Sequence, residues 1–466
     1  MTLIKSISGI RGTIGGKPGE GLTPVDIVKF TAGYSEWIKK RSAKLKSKPA
    51  VVVGRDARPS GPMVQQLVIS TLVSSGLDVI DLGLSTTPTV EMAVTHHKAR
   101  GGIIITASHN PRQWNALKLL NEKGEFVSAA AGDEILRFSE QLAIDFAEVN
   151  NLGIITQDSD ALKRHIEHIL ALPLVDRMAI EKAGFTVVVD AVNSSGGIAV
   201  PELLKELGVK QIIPLNCEPD GNFAHNPEPL PEHLSGISKE VKKKKAHLGI
   251  VVDPDVDRLA IVCEDGEMFG EEYTLVAVAD YVLQNKKGDT VSNLSSSRAL
   301  RDVTESHGCR YYSSAVGEVN VVEKMKEVKA IIGGEGNGGV IVPELHYGRD
   351  ALAGIALFLS GLAKSGKSCS MYRAQFPDYF ISKNKIELSP EMDVDAILVK
   401  VKEHYGKYNI ITTDGVKIEF DKEWVHLRKS NTEPIIRIYA ESTSMTTAEN
   451  LAEKIMKDIR EVAGRK

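Results

Sequence analysis

The segment DPDVDR places three carboxylates at alternate positions, directly after the apolar run GIVV. Asp253, Asp255 and Asp257 would repel one another in so short a segment unless a cation neutralises them. Oxygen ligands suit Mg²⁺, which usually keeps waters or takes a phosphate oxygen, so a phosphoryl group is expected close by. The segment does not fit an EF-hand, because the sixth loop position lacks glycine. The alternative is an acidic turn with solvated side chains.

The segment ITASHNPRQWNALK also follows an apolar run and gathers several polar side chains around a serine. Ser108 has no GxSxG elbow, so a nucleophile of the α/β-hydrolase type is not indicated. One interpretation makes Ser108 a cap that precedes an Asn-Pro turn. If a metal and phosphate sites lie nearby, Ser108 instead becomes a phosphoryl acceptor, with His109 and Lys118 as charge stabilisers or proton carriers.

Two further loops carry groups that suit a sugar and a phosphate. RKSNTEPIIR combines guanidinium groups, hydroxyls and loop N–H groups, which favour a phosphate cradle, although the same residues also fit an ordinary turn. In GGEGNGGV, Glu335 and Asn337 could hydrogen-bond to vicinal sugar hydroxyls. This segment lacks the Lys-Ser or Lys-Thr of a nucleotide P-loop, and its alternative is a flexible turn after a strand.

These loops occupy equivalent places in a repeating pattern. Along most of the chain, short β-branched runs such as PAVVVGRD and FTVVVDAVN alternate with segments of helical period. Three successive βαβ blocks predict parallel, doubly wound sheets covered by helices. Ligands bind beyond the carboxyl ends of the strands in such sheets, and the polar segments GRDARPSG, TASHNP, DPDVDR and GGEGNGG all follow directly on strands.

The C-terminal segment has a different pattern. Asp414-Gly415 predicts a type I′ hairpin, WVHLRKSNTEPIIRIYAES reads as two strands around a loop, and a final amphipathic helix follows. We therefore predict an α/β fold with three related doubly wound α/β domains and a smaller C-terminal α+β domain. The expected domains, which carry the serine, acidic, sugar and phosphate loops in turn, are 1–150, 151–265, 266–375 and 376–466.

Composition excludes several classes of protein. The chain has 466 residues, 42% of them hydrophobic, and a net charge of -4 with both signs mixed, so nucleic acid is not expected as a partner. The opening residues MTLIKSISGIRGTIGG lack the continuous apolar core of a signal peptide, so none is expected, and no run of apolar residues is long enough to predict a membrane span. The four cysteines form no CxxC pair, so neither a disulfide framework nor a zinc site is indicated. A soluble cytoplasmic protein without membrane contact is expected.

The four loops occur together, in this order, along the whole chain. SGIRG, GRDAR, VVDAVNSSGG and PDGNFAHNPEP accompany them. In this combination the chain resembles the α-D-phosphohexomutase family, which includes phosphoglucosamine mutases, phosphomannomutases and phosphoglucomutases. The resemblance implies four domains around a central cleft. It also implies an isomerase, an intramolecular phosphotransferase, that interconverts hexose 6-phosphate and hexose 1-phosphate through a phosphoserine and a 1,6-bisphosphate intermediate.

The resemblance also assigns roles to individual residues. Ser108 matches the phosphorylated serine, whose phosphoryl oxygen would complete one Mg²⁺ site per chain with Asp253, Asp255 and Asp257. The residues implied at the reacting phosphoryl group, as general acid, general base or charge stabilisers, are Arg11, His109, Lys118 and Arg258. The residues implied to bind the sugar and its other phosphate are Glu335, Asn337, Arg428, Ser430, Asn431, Thr432 and Arg437. Hexose 1,6-bisphosphate is the implied activator.

Two departures from the family pattern concern the substrate and the acidic loop. Many members end the sugar loop in Ser-Gly-His, whereas this chain has Asn337-Gly338-Gly339, and Pro254 stands where glycine is common. The GEGNGG form resembles the glucosamine enzymes and favours glucosamine 6-phosphate. The alternatives are a phosphomannomutase or phosphoglucomutase of broad sugar specificity, a metal-dependent sugar phosphatase, and a sugar-phosphate binding protein without activity. A monomer or a homodimer is expected.

Overall fold

The structure, a computed structural model, describes residues 2–6, 9–44, 47–141, 145–387, 393–429 and 435–464. The chain forms two compact units: the first comprises Met1–Tyr281 with Asn337–Arg373, and the second comprises Val282–Gly336 with Ala374–Lys466. Within the described ranges, no helix has both the length and the apolar character needed to cross a membrane. The predicted α/β class is confirmed, and the four domain boundaries stay a prediction.

The N-terminal segment builds a seven-stranded sheet. Its elements are β1 (Ile4–Ser6), β2 (Gly9–Thr13), α1 (Pro24–Ser42), β3 (Ala50–Arg55), α2 (Gly61–Ser74), β4 (Asp78–Leu84), α3 (Thr87–His96), β5 (Gly101–Ile105), β6 (Trp114–Leu120), α4 (Ala129–Gln141), a 3₁₀ turn (Val149–Asn151) and β7 (Ile155–Gln157). The strand order is β1-β2-β6-β5-β3-β4-β7. The prediction of parallel strands holds for β3, β4, β5 and β7, whereas β1, β2 and β6 add an antiparallel edge.

The second segment builds a four-stranded sheet. Its elements are α5 (Ala161–Leu170), α6 (Arg177–Ala183), β8 (Thr186–Asp190), α7 (Gly196–Glu206), β9 (Gln211–Leu215), a 3₁₀ turn (Pro231–His233), α8 (Ser235–Lys244), β10 (Leu248–Val252) and β11 (Leu259–Cys263). The strand order is β11-β10-β8-β9, and only the β10–β11 pair is antiparallel. The DPDVDR segment connects these two strands, so the acidic loop lies at the carboxyl end of β10.

The third segment contributes to both units. Its elements are α9 (Glu271–Asn285), β12 (Thr290–Asn293), α10 (Ala299–Ser306), β13 (Tyr311–Ser314), α11 (Glu318–Val328), β14 (Ile332–Glu335), β15 (Gly339–Ile341), α12 (Ala351–Ser365) and α13 (Cys369–Arg373). In the second unit, β12 lies between β13 and β14 and is parallel to both. In the first unit, α12 begins after Asp350, whose side chain accepts hydrogen bonds from two amides of the first turn, as an N-cap does.

The C-terminal segment forms an antiparallel sheet in the order β16-β20-β19-β18-β17. Its elements are β16 (Phe380–Glu387), α14 (Val394–His404), β17 (Asn409–Ile411), β18 (Val416–Glu419), β19 (Trp424–Lys429), β20 (Ile435–Ser442) and α15 (Met445–Gly464). The predicted amphipathic helix is α15, and its Ala452, Ile455 and Ile459 lie in the hydrophobic core of this sheet. The α+β prediction for this segment is therefore confirmed.

The hairpin predicted at Asp414-Gly415 is present, but its turn differs. Strands β17 and β18 pair with Ile411 opposite Lys417. Gly415 has a φ of +69°, whereas Asp414 does not have the positive φ that a type I′ turn requires at both central residues, so that assignment is wrong. The Asp414 carboxylate accepts a hydrogen bond from the Val316 backbone N–H at 2.9 Å and pairs with the Arg428 Nε at 2.9 Å.

His426, on β19, is a buried titratable group that joins two loops of the second unit. The Ser295 hydroxyl lies 2.9 Å from its Nδ1, and its Nε2 lies 2.6 Å from the Asp414 carbonyl oxygen. Burial lowers the pKa of His426 to about 4. The folded protein therefore holds this imidazole neutral at a pH where a solvated histidine would be protonated.

We expect the melting temperature to fall as the pH is lowered from about 6.5 towards 4, because the unfolded His426 takes up a proton that the folded side chain does not. This contribution to stability is complete above the unfolded pKa and amounts to about 3 kcal/mol at most. His426→Gln, measured by calorimetry across this range, should show a shallower decline, and the exposed His404→Gln serves as the control. A decline in His426→Gln as steep as that of the wild type would contradict the prediction.

Candidate active site

Loops at the carboxyl ends of parallel strands meet in the first unit. Arg58 follows β3, Thr87 follows β4 and Ser108 follows β5, and the acidic loop follows β10. The Thr87 backbone N–H donates to the Asp255 carbonyl oxygen at 2.8 Å, and its hydroxyl donates to Asp255 Oδ2 at 2.6 Å. The site thus forms at the edge where ligands bind in open α/β sheets.

Ser108 is held in an unusual conformation and points at the acidic loop. Its φ is +48°, a left-handed value that few residues other than glycine adopt, and it is 7% exposed. The Ser108 N–H donates to Thr106 Oγ1 at 2.9 Å, and its Oγ donates to Asp253 Oδ2 at 2.7 Å. The surrounding structure stabilises this strained backbone, as is typical of functional sites.

Arg58 fixes the path of the serine loop. Its side chain is fully buried, and its Nε donates to Asp56 Oδ2 at 3.0 Å. Its two terminal nitrogens donate to four backbone carbonyl oxygens of the loop, those of Ser108, Asn110, Pro111 and Trp114. Five donors in a rigid plane suit this arrangement, so one guanidinium orders the whole turn.

The acidic loop is held by groups other than its carboxylates. Pro254, the departure from glycine, offers its carbonyl oxygen to the hydroxyls of Ser194 and Ser195 at 2.7 and 2.9 Å. Val256 has a φ of +63°, which turns the chain between the second and third aspartates. All three aspartates are completely buried. Their carboxylates offer oxygens that lie within 4.8 Å of one another.

Each aspartate has one oxygen engaged by a fixed donor. Asp253 Oδ1 accepts from the backbone N–H groups of Asp257 and Arg258 at 3.1 and 3.2 Å. Asp255 Oδ2 accepts from Lys118 Nζ at 2.7 Å, and Asp257 Oδ2 accepts from Arg349 Nη2 at 2.7 Å. Among the described residues, no hydrogen-bond donor reaches the buried Oδ1 atoms of Asp255 and Asp257. These two atoms and Asp253 Oδ2 fit the ligand set of a hard divalent cation.

The electrostatics of the carboxylates also suit a bound cation. Burial, with the nearby charges of Asp257 and Asp255, raises the pKa of Asp253. Burial opposes ionisation of Asp255 as well, but the Lys118 ammonium outweighs it and lowers the pKa of that carboxyl. Burial disfavours the charged form of Lys118. The negative charges of Asp255 and Asp257 outweigh this effect, so the pKa of Lys118 is raised.

Other basic side chains surround the serine loop. Arg11 Nη1 lies 3.5 Å from Asn110 Oδ1, and Arg258 Nε lies 3.9 Å from Asp257 Oδ1. His109 Nδ1 lies 3.5 Å from Ser108 Oγ. Burial, followed by the charges of Arg258 and Arg11, lowers the pKa of His109 to about 2, so its imidazole is neutral. The structure therefore brings together every residue that was predicted for the metal and the reacting phosphoryl group.

The residues predicted for the sugar and the second phosphate are divided between the units. Glu335 belongs to the second unit, where its Oε1 accepts from Asn293 Nδ2 at 2.9 Å and from the Gly317 N–H at 3.1 Å. Asn337 belongs to the first unit. Arg428 and Arg437 face each other across β19 and β20. The predicted Ser430, Asn431 and Thr432 lie outside the described residues.

Three residues of the site were not predicted. Arg58 lies in GRDAR, a polar segment after a predicted strand, and could have been predicted as a site residue for that reason. Thr87 is one hydroxyl among many, and nothing in the pattern distinguishes it. Arg349 lies far along the chain from Asp257, and only the tertiary structure brings them together.

Comparison with known protein families identifies the family to which the chain belongs. Four family models, described as "Phosphoglucomutase/phosphomannomutase" alpha/beta/alpha domains I, II and III and C-terminal domain, match residues 3–143, 163–266, 270–379 and 385–458. The chain belongs to the α-D-phosphohexomutase family. This phosphohexomutase is therefore an isomerase of the intramolecular phosphotransferase class.

Individual relatives align with nearly the whole length of this phosphohexomutase. A "Phosphoglucomutase/phosphomannomutase" of Thermococcus kodakarensis is 40% identical over 97% of this chain and 98% of its own. A "Probable phosphoglucosamine mutase" of Methanopyrus kandleri is 32% identical over 97% of both. A solved structure of a phosphoglucomutase/phosphomannomutase family protein from Burkholderia thailandensis superposes with a TM-score of 0.85 over 99% of both chains at 23% identity, which confirms the fold.

Mg²⁺ should raise the melting temperature of the metal-free phosphohexomutase, because cation binding relieves the repulsion among three buried carboxylates. At a free Mg²⁺ concentration of about 100 times the dissociation constant, the free energy of unfolding should rise by about 2.7 kcal/mol. Asp255→Asn should lose most of this rise, whereas Asp133→Asn, on the exposed face of α4, should keep it. An equal rise in both variants would show that Mg²⁺ binds elsewhere.

Arg58→Lys should lower the turnover number of the phosphohexomutase about 10- to 100-fold with little change in KM, because a displaced serine loop misaligns the reacting atoms. Lysine keeps the charge but cannot reach four carbonyl oxygens at once. Steady-state kinetics would measure the effect, with the exposed Arg41→Lys as the control. Unchanged turnover in Arg58→Lys would rule out a positioning role for Arg58.

Proposed function

We propose that this phosphohexomutase interconverts hexose 6-phosphate and hexose 1-phosphate through a phosphoryl group carried on Ser108, with a hexose 1,6-bisphosphate as the intermediate. The observation that supports this most directly is the 2.7 Å hydrogen bond from Ser108 Oγ to Asp253, one of three buried aspartates with mutually close carboxylate oxygens. A serine that only capped a turn would not need a neighbouring set of unsatisfied carboxylate oxygens.

Mg²⁺ is the cation that we propose for Asp253, Asp255 and Asp257. Their ligand atoms are all carboxylate oxygens, which hard cations prefer. When bound, the ion would neutralise charge on the phosphoryl oxygens. Lys118 and Arg349 hold the opposite oxygens of Asp255 and Asp257 and so orient these carboxylates, as the groups behind metal ligands commonly do.

The proposed transfer conserves atoms and charge in two steps. A sugar hydroxyl attacks the phosphorus of phosphorylated Ser108, the bond from phosphorus to Ser108 Oγ breaks, and a proton passes from the sugar hydroxyl to the leaving Oγ. The bisphosphate then reorients in the site, so that its other phosphoryl group faces Ser108. Ser108 Oγ attacks this phosphorus, the bond from phosphorus to the sugar oxygen breaks, and the serine proton passes to that sugar oxygen. The result is an isomerised sugar phosphate and an unchanged enzyme.

Four basic side chains are proposed to serve this transfer. Arg11 and Arg258 supply fixed positive charge next to the serine loop, where phosphoryl oxygens carry negative charge. His109 and Lys118 are the proposed proton carriers, because His109 Nδ1 lies 3.5 Å from Ser108 Oγ and Lys118 lies on β6, against the acidic loop. Hexose 1,6-bisphosphate is the proposed activator, since it can phosphorylate an empty serine.

The remaining predicted residues are proposed to bind the sugar and the phosphate that is not transferred. Glu335 and Asn337 offer an acceptor and an amide to the sugar hydroxyls. Arg428 and Arg437 lie opposite each other on neighbouring strands, where like charges repel. The Asp414 carboxylate pairs with Arg428 and compensates part of this charge, and a bound phosphate would compensate more. The proposed phosphate cradle comprises Arg428, Ser430, Asn431, Thr432 and Arg437.

Glucosamine 6-phosphate is the sugar phosphate that we propose as the preferred substrate, on the basis of the GEGNGG form of the sugar loop. The second candidate is an enzyme for glucose and mannose phosphates. It is favoured by the name of the Thermococcus kodakarensis relative, which is 40% identical over 97% of this chain. Both candidates share the serine, the acidic loop and the reaction, so they differ only in what the sugar loop accepts.

Ser108→Ala should abolish mutase turnover, because the variant has no oxygen to accept the phosphoryl group. Loss of a nucleophile that acts with its neighbours costs several orders of magnitude, on the order of 10⁴ or more in kcat. A coupled assay of hexose 1-phosphate formation would measure the change, with Ser306→Ala, at the exposed end of α10, as the control. Near-normal turnover in Ser108→Ala would refute the phosphoserine. Release of inorganic phosphate in step with substrate loss would identify a phosphatase instead.

We also expect kcat/KM to be at least about tenfold higher for glucosamine 6-phosphate than for glucose or mannose 6-phosphate, equivalent to about 1.4 kcal/mol in transition-state binding. All three sugars would be assayed with Mg²⁺ and the matching 1,6-bisphosphate. Equal or higher kcat/KM for glucose or mannose phosphate would favour the second candidate and leave the phosphoserine mechanism intact.

A further inference from the structure

The sugar loop contains two neighbouring glycines that are there for different physical reasons. Gly338 has a φ of +83°, and a Cβ on it would lie 2.3 Å from the Leu259 carbonyl oxygen, so the backbone itself requires glycine. Gly339 has no positive φ, and any residue could adopt its backbone conformation. A Cβ on Gly339 would nevertheless lie 2.3 Å from Arg349 Cδ and 3.1 Å from Arg349 Cγ. The side chain of Arg349 is therefore the main obstacle to a larger residue at position 339, and Asn337 Oδ1 also lies close to the added Cβ, at 3.1 Å.

The path of the chain holds Arg349 in this place. After β15 the chain returns, so that Arg349 bridges Ile341 in antiparallel fashion and the Asp350 N–H donates to the Val340 carbonyl oxygen at 2.8 Å. Asp350 caps α12 through its Oδ1, and its Oδ2 lies 2.8 Å from His165 Nε2. Arg349 is thus attached to a residue that is fixed on both sides, and its side chain could move aside only by breaking the hydrogen bond from its guanidinium to Asp257.

The guanidinium of Arg349 reaches the acidic loop. Its Nη2 donates to Asp257 Oδ2 at 2.7 Å, and the residue is 8% exposed. The other oxygen of this carboxylate, Asp257 Oδ1, has no hydrogen-bond donor in the described part of the chain. The stem of Arg349 therefore lies on the sugar loop while its charged end orients one of the three aspartates.

We infer that Arg349 occupies the space of the histidine with which many family members end this loop, and that it is a positioning residue that orients Asp257 for Mg²⁺. In the conformation that Arg349 has here, its stem clashes with a Cβ at position 339, so the two positions form a coupled pair. The inference rests on the proposed mutase function and extends it. The clash with Arg349 accounts for the glycine that this chain has where the Ser-Gly-His form has histidine. The Arg349 guanidinium supplies positive charge next to Asp257.

Four variants test the coupling: Gly339→His, Arg349→Ala, the double variant, and Gly339→Ala with Arg349→Ala as the matched control. Gly339→His alone should lose most activity because of the clash, and Arg349→Ala alone should lower kcat/KM about tenfold or more. The Gly339→His, Arg349→Ala double variant should exceed both single variants, because the imidazole has room and restores a polar group. The alanine double variant should gain nothing over Arg349→Ala. A histidine double variant no better than Arg349→Ala would overturn the inference.

A second measurement does not depend on turnover. The Mg²⁺ concentration that gives half of the maximal rise in melting temperature should increase at least about tenfold in Arg349→Ala, as expected for loss of a group that orients a ligand. Arg349→Lys should give an intermediate value and keeps the test valid if the alanine variant folds poorly. An unchanged Mg²⁺ midpoint in both variants would exclude the positioning role. Wild-type protein that binds Mg²⁺ but has no mutase turnover would refute the proposed function and leave the role of Arg349 standing.

Discussion

Three buried carboxylates converge at the carboxyl end of β10, and much of the first unit is arranged around the charge that they carry. Asp253, Asp255 and Asp257 are completely buried within one loop, an arrangement that mutual repulsion would disrupt without compensating groups. The compensation comes from three directions: backbone N–H groups of the loop, Lys118 on β6, and Arg349 just before α12. Each donor holds one oxygen of its aspartate, and the three carboxylates offer oxygens that lie within 4.8 Å of one another.

The serine loop depends on the same region for its conformation. Ser108 has a left-handed backbone, which costs energy in a residue with a Cβ. The Arg58 guanidinium compensates by binding four carbonyl oxygens of the turn, and Asp253 accepts the hydroxyl hydrogen bond. A turn fixed in this way holds Ser108, the proposed nucleophile, beside the acidic loop. Such preorganisation lowers the cost of reaching the transition state.

The sequence allowed the main elements and the central residues of the site to be predicted because both depend on local signals. β-branched runs marked the strands, and the polar segments at their carboxyl ends marked the loops. The resemblance to the phosphohexomutases then assigned roles to Ser108 and the aspartates. The antiparallel edge of the first sheet was missed because the direction of β6 depends on pairing with β2 and β5, which periodicity does not report. The turn type at Asp414 was wrong because four residues, and not two, separate β17 from β18, so the backbone need not adopt a positive φ at Asp414. The contacts of Arg58 and Arg349 could not be predicted, although the place of Arg58 after a strand was visible, because each side chain binds residues far away in the sequence.

The proposed phosphoryl transfer through Ser108 can be tested by a chase experiment. Protein labelled with radioactive phosphoryl groups from hexose 1,6-bisphosphate would be mapped by peptide analysis and then mixed with unlabelled hexose 6-phosphate and Mg²⁺. We expect the label on the peptide that contains Ser108, and we expect it to move to the sugar phosphate within a single turnover. Label on another residue, or label that appears only as inorganic phosphate, would refute the phosphoserine mechanism.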